Sequence, residues 1–219
     1  RRLRGLWSSM ENKMAGTIIC YGDSNTFGYD SRMGTEGRFP KEIRWTGILD
    51  DRTEYKVKNH GICGRCIPEM TGQMDFICKQ IKSWAKKAAP VWLFLMLGTN
   101  DILNAAEPSA EKTAEKMKHF LERLQETPEV SEGKIELCLL APPVMKRGSW
   151  VSDDRIVAES QKIGELYGIL AEQLGIKCIN CGKWELKLLY DGVHLSEEGH
   201  AKFAEKLISE LEAFELDII

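Results

Sequence analysis

Five apolar runs alternate with helix-like segments along this chain, and that alternation restricts its fold more than any other feature. Continuous apolar runs are typical of strands covered on both faces, as in a parallel sheet. The runs, of which the second is weaker and alternates with polar residues, are 17–21, 55–59, 91–97, 135–141 and 176–179. Apolar residues three and four positions apart predict helices over 67–88, 109–125, 153–174 and 196–214.

The strand–helix order predicts one doubly wound α/β domain with right-handed crossovers. In such sheets, ligands bind beyond the carboxyl ends of the strands, so the segments that follow the strands are where a site is expected. The longest irregular stretch is residues 28–44, and loops of that length often carry function.

Length and charge narrow the classes of protein. A chain of 219 residues suits one domain, which we expect to span residues 15–219, with residues 1–14 as a tail outside the core. The net charge of -3 offers no broad basis for nucleic-acid binding. No apolar stretch is long enough for a membrane span, and no secretory signal follows the basic start.

Cysteine usage bears on compartment and on metal binding. Seven cysteines without a secretory signal predict free thiols in a reducing compartment, here the cytoplasm. Two pairs have the CxxC spacing of zinc or redox sites, namely Cys63/Cys66 and Cys178/Cys181. Because most of the cysteines lie among apolar neighbours, we favour their use as small hydrophobic residues. We therefore expect neither a metal nor a cofactor, with a zinc or redox module as an alternative.

The segment after the first run holds a candidate nucleophile. Residues 22–28 read GDSNTFG, a glycine-flanked turn that would hold the Ser24 hydroxyl out of regular structure. Glycine, aspartate, serine and asparagine are also ordinary turn residues, so catalysis requires partners from elsewhere. Three other segments follow predicted strands at the same edge of the sheet, at residues 60–64, 98–101 and 191–194.

A serine hydroxyl needs a base and an orienting acid to attack a carbonyl carbon. His194 is the best placed of the four histidines, because it lies three residues after Asp191 on a turn before the last helix. That spacing lets the carboxylate hold one imidazole nitrogen while the other faces Ser24. His60 could also reach this edge, whereas His119 and His200 are poor candidates.

The oxyanion of a tetrahedral intermediate needs hydrogen-bond donors. The candidates are the backbone N–H groups of Ser24 and Gly64 and the side-chain amide of Asn100. Without a side chain, Gly64 can bring its amide close to a substrate. Simple turn formation by Gly64 and helix capping by Asn100 are the structural alternatives.

Four ordered blocks in this sequence resemble those of the SGNH (GDSL-type) hydrolase family, from about Thr17 to the C-terminus. They are Gly22-Asp23-Ser24, Asn59-x-Gly61-x-x-Gly64, Gly98-Thr99-Asn100-Asp101 and Asp191-x-x-His194. The resemblance implies a flavodoxin-like three-layer α/β/α sandwich with a five-stranded parallel sheet. It also implies Ser24 as nucleophile, His194 as base, Asp191 as orienting acid, and Ser24, Gly64 and Asn100 as oxyanion donors.

Residues 38–49 resemble the arylesterase/acyltransferase branch of that family, whose members favour short acyl esters and often oligomerise. This implies a homo-oligomeric serine esterase for small short-chain or aryl esters, with acyl transfer as a further activity. Trp45 is expected in the core, and Trp150 in the core or in a pocket wall. Supporting or pocket positions are expected at Asp23, Asn25, Ile62, Cys63, Arg65 and Val193.

Other functions stay open at this point. Within the same family, the sequence is also compatible with a carbohydrate O-deacetylase, a lysophospholipase or a thioesterase. A different class would be a non-catalytic flavin or nucleotide binder, since a Gly/Ser/Thr loop after the first strand can hold a phosphate. Such a binder would leave Asp191 and His194 without a role.

Overall fold

The computed structural model describes residues 16–86 and 91–216, so the predicted tail at 1–14 lies outside the described residues. Each of the five apolar runs forms a strand, and the strands pair into one parallel sheet. The strands are β1 (Gly16–Gly22), β2 (Tyr55–Gly61), β3 (Val91–Met96), β4 (Ile135–Ala141) and β5 (Lys177–Asn180). The predicted five-stranded parallel sheet is therefore confirmed.

Helices connect the strands. Those of the described residues are α1 (Ser24–Phe27), α2 (Trp45–Arg52), α3 (Thr71–Trp84), α4 (Thr99–Leu103), α5 (Ala110–Gln125), α6 (Pro128–Ser131), α7 (Asp154–Leu174) and α8 (Glu197–Leu216). The side chains of Ser109 and Asp153 cap α5 and α7 by accepting backbone N–H bonds. These two helices thus begin where their sequence patterns predict.

Alternate residues of each strand bury against opposite layers of helices, as the two-residue period of a strand requires. On β1, Ile18 and Cys20 belong to a core shared with Trp45 of α2 and helix α8. Ile19 and Tyr21 belong to a second core, which α3, α5 and α7 cover. The predicted three-layer α/β/α arrangement is confirmed.

The strand order β2-β1-β3-β4-β5 places the topological switch point between β1 and β3. The chain first extends the sheet outward from β1 to β2 and then crosses to β3 on the other side. The loops after β1 and β3 therefore diverge and open a crevice at the carboxyl edge, which is where doubly wound folds bind ligands. Ser24 and Asn100 lie on α1 and α4, the short helices that follow β1 and β3 at this edge.

One predicted helix begins later than expected, and the helices α1, α2, α4 and α6 were not predicted. The helix predicted from Ile67 begins at Thr71, because Pro68 disfavours helical geometry at the preceding residue. Helix α2 was not predicted, since Gly47 lowers the helix propensity of this short segment. A Cβ atom on Gly47 would lie 1.8 Å from the Lys41 carbonyl oxygen, so close packing requires the glycine.

Candidate active site

The expectation that Ser24 lies outside regular structure is wrong: Ser24 is the first residue of the short helix α1, directly beyond the end of β1. The Asp23 side chain caps this one-turn helix by accepting the Asn25 N–H at 2.9 Å. Gly28 ends the helix with a φ of 85°, in the left-handed region that favours glycine. A β-carbon on Gly22 would lie 2.1 Å from the Thr26 hydroxyl oxygen, so the turn needs glycine there as well.

Ser24, His194 and Asp191 form a continuous hydrogen-bonded chain. The Ser24 Oγ lies 2.9 Å from His194 Nε2, and His194 Nδ1 lies 2.9 Å from Asp191 Oδ2. The other Asp191 oxygen accepts the backbone N–H groups of Val193 at 2.8 Å and His194 at 2.9 Å. This is the arrangement in which a carboxylate orients an imidazole toward a hydroxyl.

The Asp191 carboxyl group stays ionised in this setting. Its complete burial acts to raise its pKa, but the hydrogen bonds from the His194 ring and the backbone N–H groups outweigh burial. Together they lower the pKa of Asp191 to about 2. A fixed negative charge therefore lies against His194 Nδ1 at neutral pH.

Asn25 ties the histidine turn to the helix that carries Ser24. Its side-chain amide donates to the Val193 carbonyl at 3.1 Å, and its amide oxygen accepts the Leu195 N–H at 2.9 Å. The Trp45 indole N–H in turn donates to the Asn25 carbonyl at 2.9 Å, from a completely buried position. Trp45 is thus in the core, as expected, and Asn25 holds both neighbours of His194.

Gly64, Asn100 and Ser24 line one cavity. The volume of this cavity is about 340 Å³. Gly64 has a φ of 74°, and the place its Cβ would occupy is open. Within the described residues, no acceptor is found for the Ser24 and Gly64 backbone N–H groups. The Asn100 amide donates one N–H to the Arg65 carbonyl at 3.1 Å, and its second N–H has no partner in the described part of the chain.

Comparison with known proteins identifies the family. The sequence model of the GDSL-like Lipase/Acylhydrolase family matches residues 20–202. The chain belongs to this family. The resemblance to SGNH (GDSL-type) hydrolases that the four sequence blocks indicated is therefore confirmed.

Individual esterases are similar to this GDSL-like family member in sequence or in fold. An acetylxylan esterase from Xylanibacter ruminicola is 26% identical over 213 residues, which cover 86% of this chain. The match spans only 41% of that relative's own length. The aryl esterase of M. smegmatis shares the fold, with a TM-score of 0.75, 18% identity, and coverage of 91% of this chain and 99% of that one.

A carbohydrate acetylesterase from Sinorhizobium meliloti shares the fold to the same degree. Its TM-score is 0.75 at 20% identity, with 90% of this chain and 99% of that chain covered.

As for membranes, the helices in the described ranges include none with the length and apolar character that a bilayer crossing requires.

Arg65 supports the turn of this GDSL-like site and does not line its cavity. Its guanidinium donates to the Gly22 carbonyl at 2.7 Å and to the His60 carbonyl, and lies 3.9 Å from the Tyr21 ring centroid. Ile62 donates its backbone N–H to the Gly22 carbonyl at 3.1 Å, while its side chain is exposed outside the cavity. Of the two expected roles, the supporting one therefore applies to the Arg65 side chain and to the Ile62 backbone, and neither side chain lines the cavity.

Asp23 lies behind Ser24 and is almost completely buried. Its Oδ2 atom makes no hydrogen bond of normal geometry among the described residues, although the Thr99 hydroxyl is close enough to favour the charged carboxylate weakly. Burial raises the pKa of Asp23 to about 6, against smaller opposing effects of the Asn25 N–H and His194. The site thus holds two carboxyl groups whose environments shift their pKa values in opposite directions.

The cavity walls include residues that sequence reasoning missed. Cys63 and Val193 line the cavity as expected, and Trp150 proves to be a wall residue. The missed residues are Tyr29, Thr35 and Leu103. Two of these come from the long loop 28–44, whose length was the available signal, but length alone could not say which side chains face Ser24.

The other three histidines lie outside the cavity. His60 packs edge-on against Trp84, with ring centroids 5.0 Å apart, and His119 is exposed beside Glu122. His200 is buried, and burial lowers its pKa to about 3, so its neutral ring accepts the Trp45 backbone N–H at 3.4 Å. Of the four histidines, His194 is the one positioned to accept a proton from the Ser24 hydroxyl.

The two CxxC pairs do not come together. Cys63 and Cys66 are exposed just beyond β2, whereas Cys178 and Cys181 lie at β5. Since β2 and β5 are opposite edges of the sheet, the pairs cannot supply four ligands to one zinc ion. No cluster of three metal-binding side chains is found within residues 16–86 and 91–216.

Proposed function

We propose that this protein is a serine esterase that hydrolyses short-chain acyl esters, aryl esters included, through an acyl-enzyme intermediate. The observation that carries the proposal is the 2.9 Å separation of Ser24 Oγ and His194 Nε2, continued by the 2.9 Å contact of His194 with Asp191. A nucleophile, its base and the orienting acid are then in direct contact before substrate arrives.

In the acylation step, Ser24 Oγ attacks the acyl carbon while its proton passes to His194 Nε2. The positive charge that forms on the imidazole is stabilised by the ionised Asp191 at Nδ1. The negative charge on the former carbonyl oxygen is stabilised by N–H donors from Ser24, Gly64 and Asn100. Collapse of this intermediate expels the alcohol, which takes the proton from Nε2 and leaves an ester on Ser24.

Deacylation repeats the same chemistry with water as nucleophile. His194 Nε2 takes a proton from water, and the hydroxide attacks the Ser24 ester. The second intermediate releases the carboxylic acid and returns the proton to Ser24 Oγ. Replacing water by another alcohol at this step would give acyl transfer, which we propose as an additional activity.

The size of the cavity supports a short acyl group. A volume of about 340 Å³ is near the lower end of the range for small-molecule sites, roughly 300–1,000 Å³. A short acyl group with a small alcohol suits that space better than the long chain of a lysophospholipid.

A Ser24→Ala variant tests the proposal. It should fold normally and lose hydrolysis of p-nitrophenyl acetate, and a fluorophosphonate probe should label the wild type but not the variant. The exposed Ser209 on α8 provides a matched control, since Ser209→Ala should keep both properties. Turnover by Ser24→Ala at the wild-type rate would refute the proposal.

Carbohydrate O-deacetylation is the second candidate. It is favoured by the similarity to an acetylxylan esterase over 86% of this chain. Acetate release from acetylated xylan, measured beside p-nitrophenyl acetate with the same enzyme sample, would identify this activity.

A non-catalytic flavin or nucleotide binder is less favoured, because it gives the Asp191–His194–Ser24 contacts no role.

We further propose that the protein works in the cytoplasm and as a homo-oligomer. The seven free thiols support a reducing compartment. The oligomeric state follows from the likeness of residues 38–49 to the arylesterase branch, and light scattering coupled to size-exclusion chromatography would measure it.

A further inference from the structure

Trp150 is a large aromatic residue at the active-site cavity with 47% of its surface exposed. Tryptophan side chains bury much apolar area when they pack, and one left half-exposed beside a cavity can cover a ligand instead. We propose that Trp150 is a platform for the alcohol half of the substrate, which selects esters whose leaving alcohol is a six-membered ring with a broad apolar face. This inference rests on the esterase function proposed above.

The platform is fixed to the turn that carries Asp191 and His194. The Trp150 backbone N–H donates to the Asp191 carbonyl at 3.1 Å, and the Ser149 N–H donates to the Tyr190 carbonyl at 3.1 Å. Gly148 allows this approach, since a Cβ atom there would lie 2.4 Å from the Asp191 carbonyl carbon. These bonds fix the Trp150 backbone beside Asp191, and the indole packs against the Tyr29 ring with the two centroids 6.2 Å apart.

The indole also lies beside His194, the residue that gives a proton to the leaving alcohol. Its ring centroid is 5.0 Å from that of His194, with the two planes nearly perpendicular at 88°. Tyr29 packs on the same imidazole with a centroid distance of 4.8 Å, and its hydroxyl donates to the Gly34 carbonyl at 3.0 Å. Two anchored aromatic rings thus flank His194 at the cavity.

Reaction chemistry places the alcohol next to these rings. His194 Nε2 must deliver its proton to the leaving oxygen, so the group attached to that oxygen lies on the histidine side of the cavity. The carbonyl oxygen of the ester must lie on the other side of the cavity, because it has to reach the amides of Gly64 and Asn100. An alcohol on the histidine side is within reach of Trp150.

The chemistry of the cavity defines the class of alcohol. Aromatic rings stack on other flat rings, and the C–H face of a pyranose offers a comparable apolar surface. Among the described residues, no lysine, arginine, aspartate or glutamate lines the cavity. A neutral ring alcohol, either a phenol or a pyranose, therefore fits better than a charged headgroup.

The test keeps the acyl group constant and varies the alcohol. Phenyl acetate, an O-acetylated methyl xylopyranoside and the acyclic 2-methoxyethyl acetate are compared with wild-type enzyme, Trp150→Leu and Trp150→Phe. Leucine keeps apolar bulk and supports folding but lacks the ring, whereas phenylalanine restores an aromatic face. Phe76→Ala is the matched control, because Phe76 is 59% exposed on α3 and does not line the cavity.

We expect Trp150→Leu to lower kcat/KM for ring esters by roughly 2- to 10-fold more than for the acyclic ester, mainly through KM. Trp150→Phe should retain most of the ring preference, and Phe76→Ala should change none of the three rates. A larger loss for phenyl acetate would identify a phenol as the preferred alcohol, and a larger loss for the xylopyranoside would identify a pyranose.

Equal losses for all three esters would show that Trp150 acts only by packing on His194, and would overturn the platform. Unchanged rates in Trp150→Leu would overturn it as well. If the wild type hydrolyses none of the esters and Ser24 is not labelled by a fluorophosphonate, the esterase function fails and the platform with it. The two failures are thus distinguishable.

Discussion

Replacing Asp23 by asparagine should stabilise the protein at neutral pH, by an amount that depends on pH. The carboxyl group is only 1% exposed and has one oxygen, Oδ2, without a hydrogen-bond partner in the described part of the chain. Burial raises its pKa from the ordinary 3.8 to about 6. Keeping this group ionised at pH 7 therefore costs folding free energy.

The direction of the pH dependence follows from proton linkage. Below about pH 3.8, Asp23 is protonated in both the folded and the unfolded chain, so it carries no penalty. Between about pH 3.8 and 6 the unfolded chain loses the proton first, and stability falls as the pH rises. Above that window the penalty is constant at about 3 kcal/mol, since each pKa unit corresponds to about 1.4 kcal/mol.

Asparagine keeps an oxygen that can accept the Asn25 N–H but carries no charge. Urea unfolding of wild type and Asp23→Asn, followed by tryptophan fluorescence from pH 3.5 to 8, should show a stability difference that grows by about 3 kcal/mol across the window. At pH 8 the thermal midpoint should rise by roughly 6–12 °C, because 1 kcal/mol shifts a domain of this size by roughly 2–4 °C.

Asp75→Asn controls for the change in net charge, because Asp75 is an exposed carboxylate on α3. That variant should track the wild type across the pH range. A stability difference between wild type and Asp23→Asn that stays constant from pH 4 to 8 would refute the reasoning, since Asp23 would then gain no proton on folding.

Two further predictions concern the site. Asp191→Asn should lower kcat by about 10⁴-fold without unfolding the protein, because an amide no longer enforces the imidazole orientation; p-nitrophenyl acetate turnover within tenfold of wild type would contradict this. Arg65→Ala should destabilise the fold by about 2–4 kcal/mol in urea unfolding, through loss of charged hydrogen bonds to the Gly22 and His60 carbonyls. It should also lower kcat by about tenfold, since the same turn carries Gly64, and wild-type kcat in that variant would show that the turn holds without the guanidinium.

The strands and long helices were predictable because their signals are local. Continuous apolar runs such as residues 135–141 have the bounds of β4, and the caps at Ser109 and Asp153 mark the starts of α5 and α7. The exceptions have local reasons of their own. Pro68 shortens α3, and α2 depends on close packing at Gly47 that a helix pattern does not reveal.

The candidate triad was predictable as a set of residues but not as a geometry. Placement of each segment after a strand was enough to nominate Ser24, Asp191 and His194. Their contact joins residues 170 positions apart, so its 2.9 Å distance depends on the sheet order and on Asn25, which binds both neighbours of His194.

By itself, then, the sequence determined the layered α/β fold, its family and the candidates for catalysis, because periodicity, turn residues and ordered blocks are properties of short segments. Only the tertiary structure decided that Trp150 and Tyr29 flank His194, and that Arg65 supports the turn without lining the cavity. It also decided the opposite pKa shifts of Asp23 and Asp191. Burial and hydrogen bonding depend on residues that are distant in the chain, and no local pattern records them.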